Sequence, residues 1–500
     1  MLTRAIFASN AAEYKCKPFK EKDLVYVLNH LIDASSDISE MRAVGRNNIL
    51  KYIICMFTSS QFWYIGRSHF TLRISLLYIM LDIIPSRFEN ELRDDLKKKY
   101  VSIDEKFTEM AGIPFRKMML LGVAVLLRMK YAAIRHVLPK LKVAIEGCKS
   151  LPLLKADRCR EFAYKTLAED SKTLGICLSL DPKALVPADA PVSESDVSHF
   201  LSYFSKTFQY ICGLNHSHPH NIGYVSSQYH PLERYPIVRT GDQLLIPNLR
   251  MFENAITDSL IYNLSEFVGG DSVRMTLGKV QEYVIYMAVE ESNLGLITIP
   301  ELKYTLNGAE AKGPDLTIID GNTVIMIESK ATMIWLETRV NNEFQEFADN
   351  LKSIMEAVET LQNVKLEKVL DCEGEYAGYP QLKSIKGENV ILVGVVNGEY
   401  HSLHEIAVSA AKSVGTYPSS GFKNPYCLMS LQTFIMAIEV AKQSRSSLSA
   451  VLLNYHKVAE NNDPKTHPSD AFEGFELEAE DTFLKKYYHS LVNSLRTEAV

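Results

Sequence analysis

The chain has 500 residues, of which 47% are hydrophobic and 23% charged. That balance is globular, excludes a disordered or fibrous chain, and corresponds to about two to four domains. The net charge of −6 hides an asymmetry: residues 1–250 carry 34 Lys and Arg against 25 Asp and Glu, whereas residues 251–500 carry 20 against 35.

From the N-terminus to about residue 184 the pattern is helix after helix. Leu24 to Ile32, Met41 to Phe57, Phe70 to Ile84, Phe115 to Arg128 and Ala132 to Ile145 all space their apolar residues helically. Apolar stretches such as Phe70 to Pro85 and Met118 to Leu127 are broken by polar residues, so no membrane span is expected. Lys97-Lys98-Lys99 reads as a solvated helix end. Arg116, Lys117, Arg128, Lys130, Arg135, Lys140 and Lys142 are candidates for a basic helical face that grips a polyanion. Eight scattered cysteines with no C-x-x-C pair argue against a zinc ribbon or dithiol motif and suit a reducing cytoplasm. Met1 to Asn10 carries one charge and no long apolar core, so no secretory signal is expected.

Residues 185–235 read as a linker and connecting segment. Two prolines and small polar residues fill 185–196, with Ser193 or Ser195 as a helix cap, and a helix is expected over Val197 to Cys212. His216, His218 and His220 alternate and would share a face on a strand, but Pro219 argues for a loop rather than a zinc site. Tyr235 to Pro247 reads as a hairpin, followed by a helix over Leu249 to Leu264.

A helix is expected over Met275 to Glu291, with Met275, Val280, Val284 and Met287 as its apolar stripe and Gly278 and Glu282 on one face. Leu296 to Leu306 supplies a strand. Next comes an apolar hairpin, Gly313-Pro314-Asp315-Leu316-Thr317-Ile318-Ile319-Asp320-Gly321-Asn322-Thr323-Val324-Ile325-Met326-Ile327-Glu328-Ser329-Lys330, with acids and a lysine where a buried strand should have none. Buried charge needs a partner. If Gly321-Asn322 is a two-residue loop, Asp320 opposes Thr323 and, counting outward, Asp315 opposes Glu328. Opposed Cβ atoms lie about 5 Å apart, and like charges there repel. Lys330 shares the strand face of Glu328. A divalent ion on oxygen ligands would relieve the repulsion.

Pro314-Asp315, a hairpin and then Glu328-Ser329-Lys330 resemble the motif of the PD-(D/E)xK nuclease superfamily. Its core is a helix, a three-stranded meander, a helix and a further strand. The expected order here agrees, with a helix over Asn342 to Leu366 and a buried strand over Glu388 to Val396. The resemblance covers residues 236–455 and implies an α/β domain with a restriction-endonuclease-like core, a mixed sheet flanked by helices, preceded by an all-α domain over 1–184. It implies Mg²⁺ or Mn²⁺ bound by Asp315, Glu328, the Ser329 carbonyl and Glu282, with Lys330 serving the attacking water and Gln345 as an auxiliary contact. Glu367 to Gly387 reads as a surface excursion, and residues 456–500 as an acidic mobile arm and a last helix, Thr482 to Leu495.

The expected function is therefore a metal-dependent, cytoplasmic nuclease acting on nucleic acid, DNA more than RNA, with a place in prokaryotic defence and scope for a homodimer or partner protein. An RNA- or tRNA-cleaving toxin and a catalytically inactive nucleic-acid-binding scaffold are the competing readings. No G-x-x-x-x-G-K-[ST], H-E-x-x-H or G-x-S-x-G occurs, which leaves P-loop, zincin and serine hydrolase chemistry without support.

Overall fold

A computed structural model describes residues 70–132, 179–185, 192–217, 231–246, 249–269, 271–331, 344–397, 421–460 and 481–497, with 408, 471, 472 and 475. The helices expected over Leu24 to Ile32 and Met41 to Phe57 lie outside these residues, as do Arg135, Lys140, Lys142, His218 and His220.

The N-terminal part is helical. Helix α1 (Phe70–Tyr78) continues through a π-helical turn (Ile79–Ile83) and a short segment (Ile84–Arg87). Then come α2 (Glu89–Leu96), α3 (Ile103–Ala111) and α4 (Phe115–Ala132). Lys97–Lys99 form an exposed 3₁₀ turn, as the solvated-end reading expects. Among the described residues no single helix is long and apolar enough to cross a membrane. Ile103–Ala111 and Phe115–Met129 pass that test only jointly, across a 62° bend.

The expected basic face on α4 is partly neutralised. Arg116 pairs with Asp82 at 3.0 Å and Lys117 with Asp196 at 2.9 Å. These two cations join elements of the fold, an outcome that charge counting along one helix could not anticipate.

Ser193 caps α5 (Glu194–Phe204) through a reciprocal capping box with Asp196. The helix expected over Val197 to Cys212 is interrupted: strand β2 (Ser205–Thr207) intervenes before α6 (Phe208–Ser217). His216 thus sits in a helix rather than a loop. Strand β1 (Ser179–Leu180), the hairpin β3 (Ile237–Thr240) and β4 (Gln243–Leu245), and β2 form a small sheet in the order β1-β4-β3-β2. The helix expected over Leu249 to Leu264 is two, α7 (Leu249–Ile256) and α8 (Asp258–Val268), broken at Thr257. The break buries Thr257 and lets Arg73 reach Glu253, Asn254, Thr257 and Asp258 together.

The C-terminal half holds a mixed sheet flanked by helices. Helix α9 (Asp271–Glu290) leads to β5 (Ile297–Pro300). The expected strand over Leu296 to Leu306 divides here, because β6 (Lys303–Leu306) leaves to pair with β7 (Ala309–Lys312) as a separate hairpin. Then β8 (Leu316–Asp320) and β9 (Thr323–Lys330) return to the sheet. Helix α10 (Phe344–Thr360), a π-helical turn (Leu361–Lys365) and α11 (Leu366–Leu370) precede β10 (Val390–Val396) and β11 (Tyr426–Ser430). Helices α12 (Leu431–Ser444), α13 (Leu448–Glu460) and α14 (Phe483–Thr497) follow among the described residues. The sheet order is β11-β10-β9-β8-β5, antiparallel from β5 to β9 and parallel from β9 to β11.

Strand alternation sorts the core onto two faces. Ile318, Ile325, Ile327, Val393 and Val395 pack with α9, α12 and the N-terminal helices. Ile319, Val324, Met326, Leu392 and Val396 pack with Ile354, Met355 and Val358 of α10. This second cluster also contains Val369, Cys372, Tyr376 and Leu382, so Glu367 to Gly387 is not a surface excursion. Its acids misdirect the reading: Glu373 and Glu375 engage Lys368 and the Lys303 N–H while the apolar residues between them turn inward. Phe472, in the expected mobile arm, is buried and stacks on Tyr455 at 5.9 Å.

Candidate active site

The β8–β9 hairpin turns where the sequence places it. Asp320 pairs with Thr323, and the register runs outward to Leu316 with Ile327. Gly321 alone takes a positive φ, of 60°, at the first loop position, the pattern of a II′ turn that only glycine adopts without strain. Asp320 Oδ2 accepts the Ser449 N–H at 2.7 Å, fastening the turn to the start of α13.

One residue beyond the ladder, Asp315 faces the end of β9. Its Oδ2 accepts the Ser329 N–H at 2.7 Å. Glu328 is buried, and Lys330 Nζ lies 3.4 Å from Glu328 Oε2. By strand alternation Glu328 and Lys330 belong to the α10 face. Gly394 lies beside Glu328 in the parallel ladder, and a Cβ there would meet Leu428, Ile354 and Val358 at 3.0–3.1 Å. A larger residue at that position would push α10 off the sheet next to the site.

Glu282 approaches from α9, where it accepts from Lys279 Nζ at 2.6 Å. Burial and then the charge of Asp315 push the Glu282 carboxyl up to about 7, against the pull of Lys279. Burial and then the charge of Glu328 push Asp315 up to about 6, opposed by the Ser329 N–H, Lys330 and Lys365. Asp315 thus feels Glu328, and Glu282 feels Asp315, so the three carboxylates form one electrostatic group. Gly278 faces only Ala331 Cβ, at 3.6 Å, so α9 passes close to the end of β9 without depending on that glycine. Gln281, fully buried beside Glu282, donates to Val395 O at 3.2 Å and ties α9 to β10.

Two participants are absent from the sequence reading. Lys365 Nζ donates to the Gly313 carbonyl at 2.8 Å and also pairs with Glu328 Oε1. Tyr376 is buried against Gly313, where an added Cβ would lie 1.9 Å from the phenol oxygen and 2.9 Å from Leu302 O. Gly313 itself donates to Leu302 O at 2.7 Å. The glycine that opens the motif is therefore needed for close approach. No sequence spacing pointed to Lys365, which is 37 positions from Glu328. Gln345 lies in the first turn of α10, and its side chain is outside those described.

The donor set is hard oxygen: two carboxylates and a nearby strand-end carbonyl, with a third acid adjoining. Magnesium takes one or two carboxylates and keeps several waters, so these residues fit it. Among the described residues no group of three or more His, Cys, Asp or Glu side chains is placed to hold a metal ion. Neither a family model, a curated protein nor a solved structure matches this chain.

Proposed function

We propose that this chain is a metal-dependent nuclease that hydrolyses phosphodiester bonds, with a catalytic unit similar to the PD-(D/E)xK superfamily. The observation that carries the reading is the strand-end constellation. Burial and the charge of Glu328 raise the cost of ionising Asp315 in a buried hairpin, and Lys330 lies 3.4 Å from Glu328. The order α9, β5, β8, β9, α10, β10 supports it, being helix, three antiparallel strands, helix and parallel strand, with β6–β7 as an insertion.

In this reading Asp315 and Glu328 hold Mg²⁺ or Mn²⁺, with the Ser329 carbonyl and Glu282 adjoining. A bound ion would supply an acidified water and charge neutralisation at the attacked phosphate. Lys330, at the half-exposed end of the strand, orients the attacking water or stabilises the developing negative charge. Glu282, whose carboxyl is raised by burial and by the charge of Asp315 in the metal-free chain, adjoins the site as a third acid. The Ser329 N–H fixes the Asp315 carboxylate at the end of β9. DNA is the substrate favoured by analogy, and defence against foreign nucleic acid the corresponding role.

The test is cleavage of DNA and RNA in Mg²⁺ by the wild type, Asp315→Ala and Lys330→Ala. The expected result is DNA cleavage by the wild type and a loss of about 10²–10⁴-fold in each variant. Equal cleavage by all three removes the mechanism. RNA cleavage with DNA intact moves the reading to an RNA-cleaving toxin.

One observation favours the inactive-scaffold reading: each oxygen of Glu328 already faces a lysine. Calorimetric titration with Mn²⁺ separates the two, since a scaffold shows no binding that depends on Asp315.

A further inference from the structure

The Lys365 ammonium sits where a cation is wanted. It donates to the carbonyl of Gly313 and pairs with Glu328, so it binds two oxygens of the same hairpin that carries Asp315. Its side chain is 12% exposed and that of Glu328 6%, so the contact is largely desolvated and not a loose surface pair. Lys330, by comparison, is 39% exposed and 3.4 Å from the other oxygen.

The backbone is arranged to deliver it. Lys365 ends a π-helical turn, in which the Leu366 N–H reaches back to Leu361 O. Such turns insert one residue into a helix and are frequent at functional sites. Leu361 and Val369 on either side are fully buried in the cluster under α10, which anchors the segment while Lys365 extends to the hairpin. An ammonium and a divalent ion both seek inward-pointing oxygens, and Glu328 cannot give Oε1 to both.

We propose that Lys365 is a resident counter-cation, which occupies the Glu328 and Gly313 oxygens in the metal-free chain and is displaced when a divalent ion binds. This rests on the nuclease reading of Asp315 and Glu328 and adds a gate to it. The exchange keeps the buried carboxylate paired in both states, since leaving one partner of a buried ion pair alone is strongly unfavourable. It also sets a threshold, because metal must outcompete an attached lysine. Lys365 is thus a positioning residue, acting on Glu328 and not on substrate.

Two measurements on the full chain test this without nucleic acid. The first is Mn²⁺ binding, read by electron paramagnetic resonance of the free ion, for the wild type, Lys365→Met, Asp315→Ala and Lys303→Met. Removing the competitor should tighten Mn²⁺ binding by about tenfold in Lys365→Met. Lys303→Met, on the exposed hairpin, should match the wild type, and Asp315→Ala should lose binding. Equal or weaker binding by Lys365→Met, with Asp315→Ala still defective, overturns the gate and leaves the nuclease reading standing. No binding by any variant overturns both. The second measurement needs no variant: acetylation of Lys365 in the wild type, followed by mass spectrometry, should accelerate when Mn²⁺ is added. Labelling unchanged at saturating Mn²⁺ overturns the proposal even if Lys365→Met fails to fold.

Discussion

Two neighbouring hairpins put the same residue types to opposite uses. In β6–β7 the turn is Asn307-Gly308, both at positive φ, and the strands lie largely in solvent. Lys303 pairs with Glu310 across open surface at 2.9 Å, and the exposed Lys312 reaches the half-buried Glu301 at 2.7 Å. In β8–β9 the strands are buried in the middle of a sheet, and Asp315 at their end is pushed toward neutrality by burial and by the charge of Glu328. A charge pair therefore means little until its surroundings are known: exposed pairs contribute marginally, whereas desolvated ones dominate local electrostatics.

This contrast can be broken or sharpened experimentally. The largest expected effect is on cleavage. Asp315→Ala and Lys330→Ala should each cost about 10²–10⁴-fold. Glu310→Ala should leave the rate on the same DNA unchanged. If Glu310→Ala lowered the rate as far as Lys330→Ala, the two hairpins would not differ in function.

Next is Gly313→Ala. Its methyl would collide with Tyr376 and Leu302 O, so urea denaturation should register a loss of about 2–3 kcal/mol. Gly278→Ala, which meets only Ala331 at 3.6 Å, should be tolerated or slightly stabilising by virtue of helix propensity. A Gly313→Ala protein as stable as the wild type would remove the close packing from the account of the site.

The pH dependence is smaller and its sign is fixed. Carboxyls in the unfolded chain titrate near about 4. In the fold Asp315 is raised to about 6 and Glu282 to about 7. Between those values the native chain binds more protons than the unfolded one. The stabilisation is therefore complete below about pH 4 and is lost as pH rises through 6 and 7. With chelator present, the melting temperature should fall between pH 5 and pH 8. Glu282→Gln should flatten that slope and gain on the order of 1–2 kcal/mol at pH 8. An unchanged slope would show that Glu282 is not held in the electrostatic group. The smallest effect is expected at the exposed hairpin, where Glu310→Ala should leave the denaturation midpoint almost unmoved.

Much of the site was legible before folding. Gly321-Asn322 defined the loop, and with period-two alternation the loop defined the register that brings Asp315 to the end of β9. Helical spacing put Glu282 on one face of α9 and the family resemblance singled it out, while Val390–Val396 was legible from its unbroken apolar run. Boundaries were weaker where tertiary bonds override propensity. Thr257 breaks one expected helix in two, and Ser205–Thr207 leaves another to join a sheet, because buried partners compensate the lost helical bonds. The segment from Glu367 to Gly387 was misjudged because its acids are conspicuous and its inward residues, Val369, Tyr376 and Leu382, have no regular period.

The sequence by itself determined the two-face pattern of the sheet, the turn and the presence of charges in an apolar hairpin, because these follow from local stereochemistry and alternation. Only the tertiary structure decided which cations meet those charges. Arg116 and Lys117 are drawn into ion pairs with Asp82 and Asp196, while Lys365 crosses from a distant π-helical turn to Glu328. Charge pairing depends on distance in space and on loss of water, and neither is encoded in any window of neighbouring residues.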